Sequence, residues 1–521
     1  MNIFPINFQA ITWEDYDHKY DEEDKKLKYN IYCFGRTADK KSVCVRIKNY
    51  LPFFYVKLKS PTSNLRYYLS NLLKQGINKQ SKIVKRKEFY GFTNNHLQDY
   101  IKVVCNTKAD FYKFRKFCGS KCIVYEDNIS IFIKFFHECN ITPSGWLSVN
   151  EGNILPSDIS SCDINIECDF NSILPLKKED SGNLLQASFD IETYSSTGAF
   201  PNPKTKEDCI IQIGTTFKYM NEPELDRRVI IVLKECTTDR LHNDDVDVIC
   251  CNTEKEVILQ WAKLINEMDP DILYHYNGDW FDLHYIYTRL QPYTTLLNKF
   301  FSLLSRLKPH TLGSQCDLCM SNNIRESKSI GCKIKSFYNE SSFSSSAYGT
   351  SNYRRITMVG RLSFDIMIYI QREYKEERYT LDHISEKYLG QKKVDLDYRK
   401  MFEYFKNGVP EELEEIAIYC MKDCVLPQNL VDKLSILQNQ IAMSNVSYVP
   451  ISFLIERGQQ IKAFSQILKF AREKNFVVPN LETKDQNNID SINNIPFEGA
   501  TVLDPMRGVY FQPISVLDFA S

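Results

Sequence analysis

Short β-branched and aromatic runs open the chain. Ile31-Tyr32-Cys33-Phe34, Val43-Cys44-Val45-Arg46-Ile47 and Phe53-Phe54-Tyr55-Val56 are separated by polar, turn-forming stretches, which predicts a β-rich unit over residues 29–58. Apolar positions at helical spacing over 64–76 and 110–118 add two helices, so the region before residue 180 reads as a mixed α+β domain. Residues 174–183 carry Pro175, Asp180 and Gly182 and read as a linker or exposed hairpin, with a domain boundary near it. Beyond it, strands at 184–191, 209–217, 228–233 and 271–276 alternate with helical stretches. Residues 253–267 form an amphipathic helix with Thr253 as N-cap. That order predicts a mixed sheet covered by helices. Residues 292–352, with their Ser, Asn and Cys, read as an insertion. Helices resume at 410–423, 427–444 and 457–474.

The 521 residues suffice for three or four domains of roughly 150 residues each. With 43% hydrophobic and 25% charged residues, global disorder, collagen and a coiled-coil rod are excluded. A net charge of −1 conceals a segregation: residues 1–130 hold 24 Lys and Arg against 13 Asp and Glu, so the remainder is acidic. From Arg46 to Tyr125, 17 basic residues face only Glu88, Asp99 and Asp110. A solvated lysine-rich face accounts for such counts. The interleaved aromatics, Phe89-Tyr90 and Phe111-Tyr112-Lys113-Phe114-Arg115-Lys116-Phe117, tilt the reading toward backbone and stacking contact with single strands. The 17 scattered cysteines, odd in number and preceded by no secretory signal, indicate free thiols in a reducing compartment, hence a protein that is not secreted. No run approaches 18 apolar residues, so no spanning helix is expected.

Asp190 and Glu192 stand two apart at the end of an apolar strand, so both carboxylates share one face while Phe189 and Ile191 take the other. Such a pair is a platform for a hard divalent cation, and exposed acidic pairs without one are common. Asp282 follows another apolar strand, in Tyr276-Asn277-Gly278-Asp279-Trp280-Phe281-Asp282, where a dipole-stabilised helix cap is the plainer reading. Tyr419 and Asp423 lie four apart on one helical face. Together, four carboxylates (Asp190, Glu192, Asp282, Asp423) and a phenol supply what phosphodiester hydrolysis with two Mg²⁺ or Mn²⁺ ions requires, with Tyr419 orienting the attacking water. Cys316, Cys319 and Cys332, with His310, offer only one close Cys pair and read as loop thiols without metal.

Phe189-Asp190-Ile191-Glu192-Thr193, Tyr276-Asn277 with Phe281-Asp282, and Tyr419-Cys420 with Asp423-Cys424 resemble, in order, the three exonuclease motifs of family B DNA polymerases. Gly360-Arg361 with Phe364-Asp365, Leu389-Gly390 with residues 392–395, Arg457-Gly458-Gln459-Gln460-Ile461-Lys462, and Glu498-Gly499-Ala500-Thr501-Val502 through Pro505 resemble delta-type members. Gly35-Arg36-Thr37 does so more loosely. Ser344 through Thr350 is most similar to polymerases of large nucleocytoplasmic DNA viruses.

The resemblance implies a ribonuclease-H-like 3′-to-5′ proofreading exonuclease domain (181–445) with a mixed sheet. An N-terminal domain of family B type (1–180) precedes it, and a helical connection with the incomplete start of the polymerase palm (446–521) follows. It further implies two Mg²⁺ or Mn²⁺ ions on Asp190, Glu192, Asp282 and Asp423, and DNA contacts by Asn277 and Phe281. Arg457, Gln460 and Lys462 would touch template or brace the palm. Leu517-Asp518-Phe519-Ala520-Ser521 resembles the start of polymerase motif A, with Asp518 as a metal ligand of an incomplete site, so no synthesis is expected from these residues alone. The implied partners are DNA primer-template and single-stranded 3′ ends, a separate C-terminal polymerase chain and a sliding clamp, with no membrane. The implied location is the host cytoplasm, at a viral replication site, or the nucleus. Two alternatives are a non-catalytic DNA-binding or assembly half of a split polymerase and a free-standing 3′-to-5′ exonuclease.

Overall fold

The computed structural model describes residues 4–18, 27–59, 64–91, 93–308, 338–345, 349–391, 396–480, 504 and 506–515. His310, Cys316, Cys319, Cys332, Asp518, residues 392–395, 498–503 and 505, and the middle of the Ser344–Thr350 stretch lie outside them. The first compact unit spans Met1–Pro479 and the second Asn480–Ser521. The described part of the second carries no helix or strand. Among the described residues, no helix is long and apolar enough to cross a membrane.

The N-terminal region is built on two sheets. The larger runs Ile173–Pro175, Trp146–Val149, Ile6–His18, Lys28–Thr37, Ser42–Lys48, Ile164–Asp169, Asn153–Ile154. The smaller belongs to a β-α-β-β-α-β unit, Phe53–Leu58, Leu65–Lys74, Lys82–Glu88, Leu97–Val104, Lys108–Gly119 and Cys122–Tyr125. Both helices begin at side-chain caps, Asn64 and Thr107 accepting from backbone N–H groups of the first turn. Of the aromatic run on the second helix, Phe111 and Phe114 are buried against Phe54 and Leu72, while Tyr112 and Phe117 face outward.

A six-stranded mixed sheet forms the next layer, in the order Val246–Cys251, Arg227–Leu233, Ile210–Tyr219, Leu185–Thr193, Ile272–His275, Leu362–Asp365. Leu185–Thr193 is antiparallel to Ile210–Tyr219 and parallel to Ile272–His275, the mixed architecture expected. Helix Glu254–Met268 starts in a full capping box, Thr253 with Glu256, and buries Val257, Ile258, Trp261 and Ile265 against one face of the sheet. Helix Pro410–Lys433 packs across the other.

Three elements differ from the sequence expectation. The insertion read from residue 292 begins instead with helix Thr294–Leu304, whose Phe300, Phe301 and Leu304 enter the main core at helical spacing. The helices read as 410–423 and 427–444 are divided elsewhere: Pro410–Lys433 continues through buried Pro427, and Ile436–Ser447 follows. Pro427 forgoes one intrahelical hydrogen bond, and burial of Cys420, Cys424, Leu426 and Leu430 outweighs that loss. Finally, the 446–479 segment turns back to the N-terminal region. Phe453, Leu454 and Leu468 join its core, Arg472 pairs with Glu126 at 2.6 Å, and Phe476–Val477 adds a parallel strand beside Lys82–Glu88.

A buried ionic cluster ties the N-terminal region to the six-stranded sheet. Arg36 donates to Asp271 at 2.6 Å, Arg306 to Asp269 at 3.0 Å and to Asp271 at 2.9 Å, and Arg361 to Asp269 at 2.6 Å. Asp271 also accepts from the backbone N–H of Leu185, the first residue of the central strand. Arg36 and Arg306 thus hold the carboxylate that fixes where that strand starts, while Arg361 holds Asp269 beside it.

Candidate active site

Period-two alternation sets the site on strand Leu185–Thr193. Phe189 and Ile191 enter the core, where the Phe189 ring lies 4.7 Å from that of Trp261. Asp190 and Glu192 face the opposite way, toward helix Pro410–Lys433. Ligand atoms of Asp190, Glu192 and Cys420 lie within 4.8 Å of one another, and Glu192 is only 8% exposed.

The helix comes this close because of Gly214, the residue paired with Asp190 on the neighbouring strand. A Cβ at Gly214 would stand 2.7 Å from the Cys424 sulfur and 3.0 Å from that of Cys420. An isolated glycine inside a strand often marks such an approach. Burial pushes both thiols upward, and the Asp190 carboxylate adds to this in each; Asp423 adds to it at Cys424, Glu192 at Cys420. Asp423 is itself 4% exposed, and its charge acts on Cys424 together with that of Asp190. Tyr419, one turn earlier, is half-buried and packs against the core that holds Phe189.

Asp282 arrives from the other side, as the first residue of helix Asp282–Leu290. It is 3% exposed. Burial, followed by the Asp190 charge, holds its carboxyl pKa well above the usual range. Asp190, Glu192 and Cys420 are a group that could hold a metal ion, and the carboxylate oxygens suit a hard divalent one.

The loop carrying Asp282 has its own support. Asn277 adopts φ +65°, a conformation Asn tolerates, and its carbonyl accepts from Trp280 and Phe281 to start the turn. Gly278 leaves room for the ring of His275, 2.7 Å from where a Cβ would be. Asp365 accepts from the N–H groups of Asn277 (3.0 Å) and Asp279 (3.2 Å) while capping helix Ile366–Glu373 through Met367 and Ile368. His275 lies between Asp365 (3.5 Å) and Asp279 (3.7 Å), and Arg355 donates to Asp279 at 3.1 Å. Burial opposes a charge on His275, yet Asp365 and Asp279 outweigh it and raise the imidazole pKa. Phe281 lies beside exposed Phe200, ring centroids 5.4 Å apart, giving Asp282 an aromatic rim.

The sequence-assigned acids Asp190, Glu192, Asp282 and Asp423 therefore gather with Tyr419, Asn277 and Phe281 on elements around one strand end. Arg457, Gln460 and Lys462 form a second group. Arg457 closes helix Ile451–Glu456 with its guanidinium 3.7 Å above the Phe453 ring, and shares with Lys462 a small cavity also lined by Asp365, Arg372 and Glu373. Gln460 is exposed at the start of helix Gln460–Glu473. Sequence reasoning gives no role to Gly214, to His275 or to Cys420, which it names only within a motif; a lone glycine inside a buried strand is the available signal for the first.

Residues 122–384 match the family model described as "DNA polymerase family B, exonuclease domain", and residues 449–521 match that of "DNA polymerase family B". The chain belongs to DNA polymerase family B. It is similar to the DNA polymerase of Paramecium bursaria Chlorella virus NY2A, at 30% identity over 99% of this chain and 53% of that protein. It is also similar to the DNA polymerase delta catalytic subunit of Plasmodium falciparum, at 32% identity over 94% of this chain and 44% of that one. The family B DNA polymerase of the archaeon Pyrobaculum calidifontis shares the fold, with a TM-score of 0.62 and 18% identity over 97% of this chain and 54% of that one. The chain spans about half the length of the curated relatives it matches.

Proposed function

We propose that this chain is the N-terminal and exonuclease part of a replicative DNA polymerase and that it removes nucleotides from DNA 3′ ends. The observation that carries this reading is the placing of Asp190, Glu192, Asp282 and Asp423 about one strand end, with the Asp282 pKa raised by burial and then by the Asp190 charge. Asp190 and Glu192 would hold one Mg²⁺ or Mn²⁺ ion, and Asp282 and Asp423 would complete a two-ion set. The chemistry supplied by such ions is a lowered pKa for coordinated water and neutralisation of charge developing at the scissile phosphate. The chain's own residues do the rest. Tyr419 orients the attacking water through its hydroxyl, Phe281 and Phe200 offer ring faces to the terminal bases, and Asn277 fixes the turn that aims Asp282. Asp365 and His275 act one step back, as positioning residues for that turn.

With Mg²⁺, the purified chain should shorten a 5′-labelled single-stranded oligonucleotide to a ladder that grows from the 3′ end, and EDTA should stop it. Degradation from the 5′ end, or activity that persists in EDTA, would overturn the reading. A second expected result concerns spacing. Gly214→Ala should slow the reaction by ~10- to 100-fold, because its Cβ displaces the helix bearing Tyr419 and Asp423 by a fraction of an ångström or more. Gly214→Ala with Cys424→Ala should recover most of that loss, since the nearest obstructing atom is gone. Equal rates for the single and double variants would argue against close approach as the reason for the glycine.

A further inference from the structure

The basic excess of residues 46–125 plays no part in the carboxylate site, and the fold shows where it goes. The β-α-β-β-α-β unit has the topology of sheets that stack single-stranded bases on exposed strand aromatics. Here that sheet face is closed. Phe53, Tyr55, Tyr100 and Tyr125 are buried in one core with Phe132 and Phe135 of helix Ile131–Cys139 and with Leu468. Some of the cations lie on this closed face, Lys102 over the Phe53 ring and Arg86 over that of Tyr55, whereas Lys59, Lys74, Lys113, Lys116 and Lys121, with the exposed rings of Tyr67 and Phe117, line the opposite, helical side.

Between helices Leu65–Lys74 and Lys108–Gly119 runs an open groove of about 860 Å³, whose walls include Lys59, Tyr67, Lys74, Phe117 and Lys121. A second depression, bordered by Lys113 and Lys116, continues it across Gln75 and Phe117. Among the described residues, no carboxylate lines either one. The five lysines are exposed, and none forms an ion pair with a described residue, whereas Lys108 and Arg115 of the same helix are paired with Asp15 and Asp127. Tyr67 is 69% exposed and Phe117 38%.

We propose that this groove binds single-stranded DNA, with the lysines neutralising successive phosphates and Tyr67 and Phe117 stacking on bases. Charge complementarity selects a polyanion, and two ring faces set among the cations select one whose bases are unpaired. The site lies apart from the carboxylate cluster and does not depend on its chemistry.

The test uses the full chain and a fluorescein-labelled single-stranded oligonucleotide, followed by anisotropy in EDTA over a range of salt, so that no cleavage occurs. The Lys74→Glu, Lys113→Glu, Lys116→Glu triple variant should bind at least tenfold more weakly. Its log K against log salt slope should be shallower by about two, because each phosphate that a cation neutralises on a single strand adds about 0.7 to that slope. Tyr67→Ala should weaken binding about fivefold or more with the slope kept. Cleavage of a very short 3′-terminal oligonucleotide, assayed separately with Mg²⁺, should be the same in all three proteins, which separates this site from the exonuclease. Unchanged affinity and slope in the triple variant would overturn the proposal. So would equal competition by duplex DNA, preference for RNA of the same sequence, or displacement by polyglutamate at matched charge.

Discussion

Asp190→Asn is expected to lower the 3′-end nuclease rate by on the order of 10²–10³-fold while raising the melting temperature of the metal-free protein. The two effects share one cause. Asp190 is the carboxylate whose charge, after burial, keeps the Asp282 pKa high, and it also adds to the raised thiol pKa values of Cys420 and Cys424. Without a cation, the Asp282 carboxyl can be held beside the Asp190 charge only by taking up a proton, and that uptake costs folding free energy at neutral pH. Asparagine keeps the shape and removes the charge, so the fold relaxes and the cation set is lost. The Asp282 pKa should fall back toward the ordinary carboxylate range in the variant. Thermal melts in EDTA and initial rates in Mg²⁺ measure the two effects separately. An inactive variant with an unchanged or lower melting temperature would mean that charge crowding is not what strains this site. A fully active variant would remove Asp190 from the reaction.

How far this site is legible in the sequence depends on how local each signal is. That Asp190 and Glu192 share a face follows from the period of a strand, and the Thr253–Glu256 capping box is written in four consecutive residues. The position of Gly214 beside Asp190 is a fact of strand register, which appears only once residues 24 apart are paired. Asp365 is similar. It holds the Asn277–Asp279 turn from 88 residues away, and nothing local to it beyond a motif match points to that role. In the helix that carries Tyr419 and Asp423, propensity predicts a break at Pro427, while a buried face through Leu430 and Val431 keeps the helix going. The cations and rings of the Phe111–Phe117 stretch look like one mixed patch in the sequence. Helical spacing sorts them, sending Phe111 and Phe114 inward and leaving Lys113, Lys116 and Phe117 outside.

Asp269→Asn is expected to destabilise the chain by about 3–5 kcal/mol near neutral pH, read as a lower urea midpoint, because it leaves two buried guanidiniums short of their anion. Arg306 and Arg361 are fully buried, and both donate to Asp269. Burial alone would raise the Asp269 pKa, but these two cations overcome it and hold the carboxyl well below the usual range. A depressed folded-state pKa gives stability that is complete above the unfolded value of about 3.9 and is lost as pH falls toward the folded value. The parent therefore surrenders this contribution progressively below about pH 4, whereas the asparagine variant never has it. The gap between parent and variant should accordingly be widest at pH 6 to 8 and should narrow as pH falls to 3. A gap that stays constant over that range would mean that Asp269 acts through shape and hydrogen bonding alone. Because Arg36 reaches the same cluster through Asp271 and the Asp269 carbonyl, loosening it should also free the N-terminal region from the sheet that carries Asp190. Protease nicking near residues 176–184 should then appear in the variant before global unfolding, and its absence would separate the ionic cluster from domain docking.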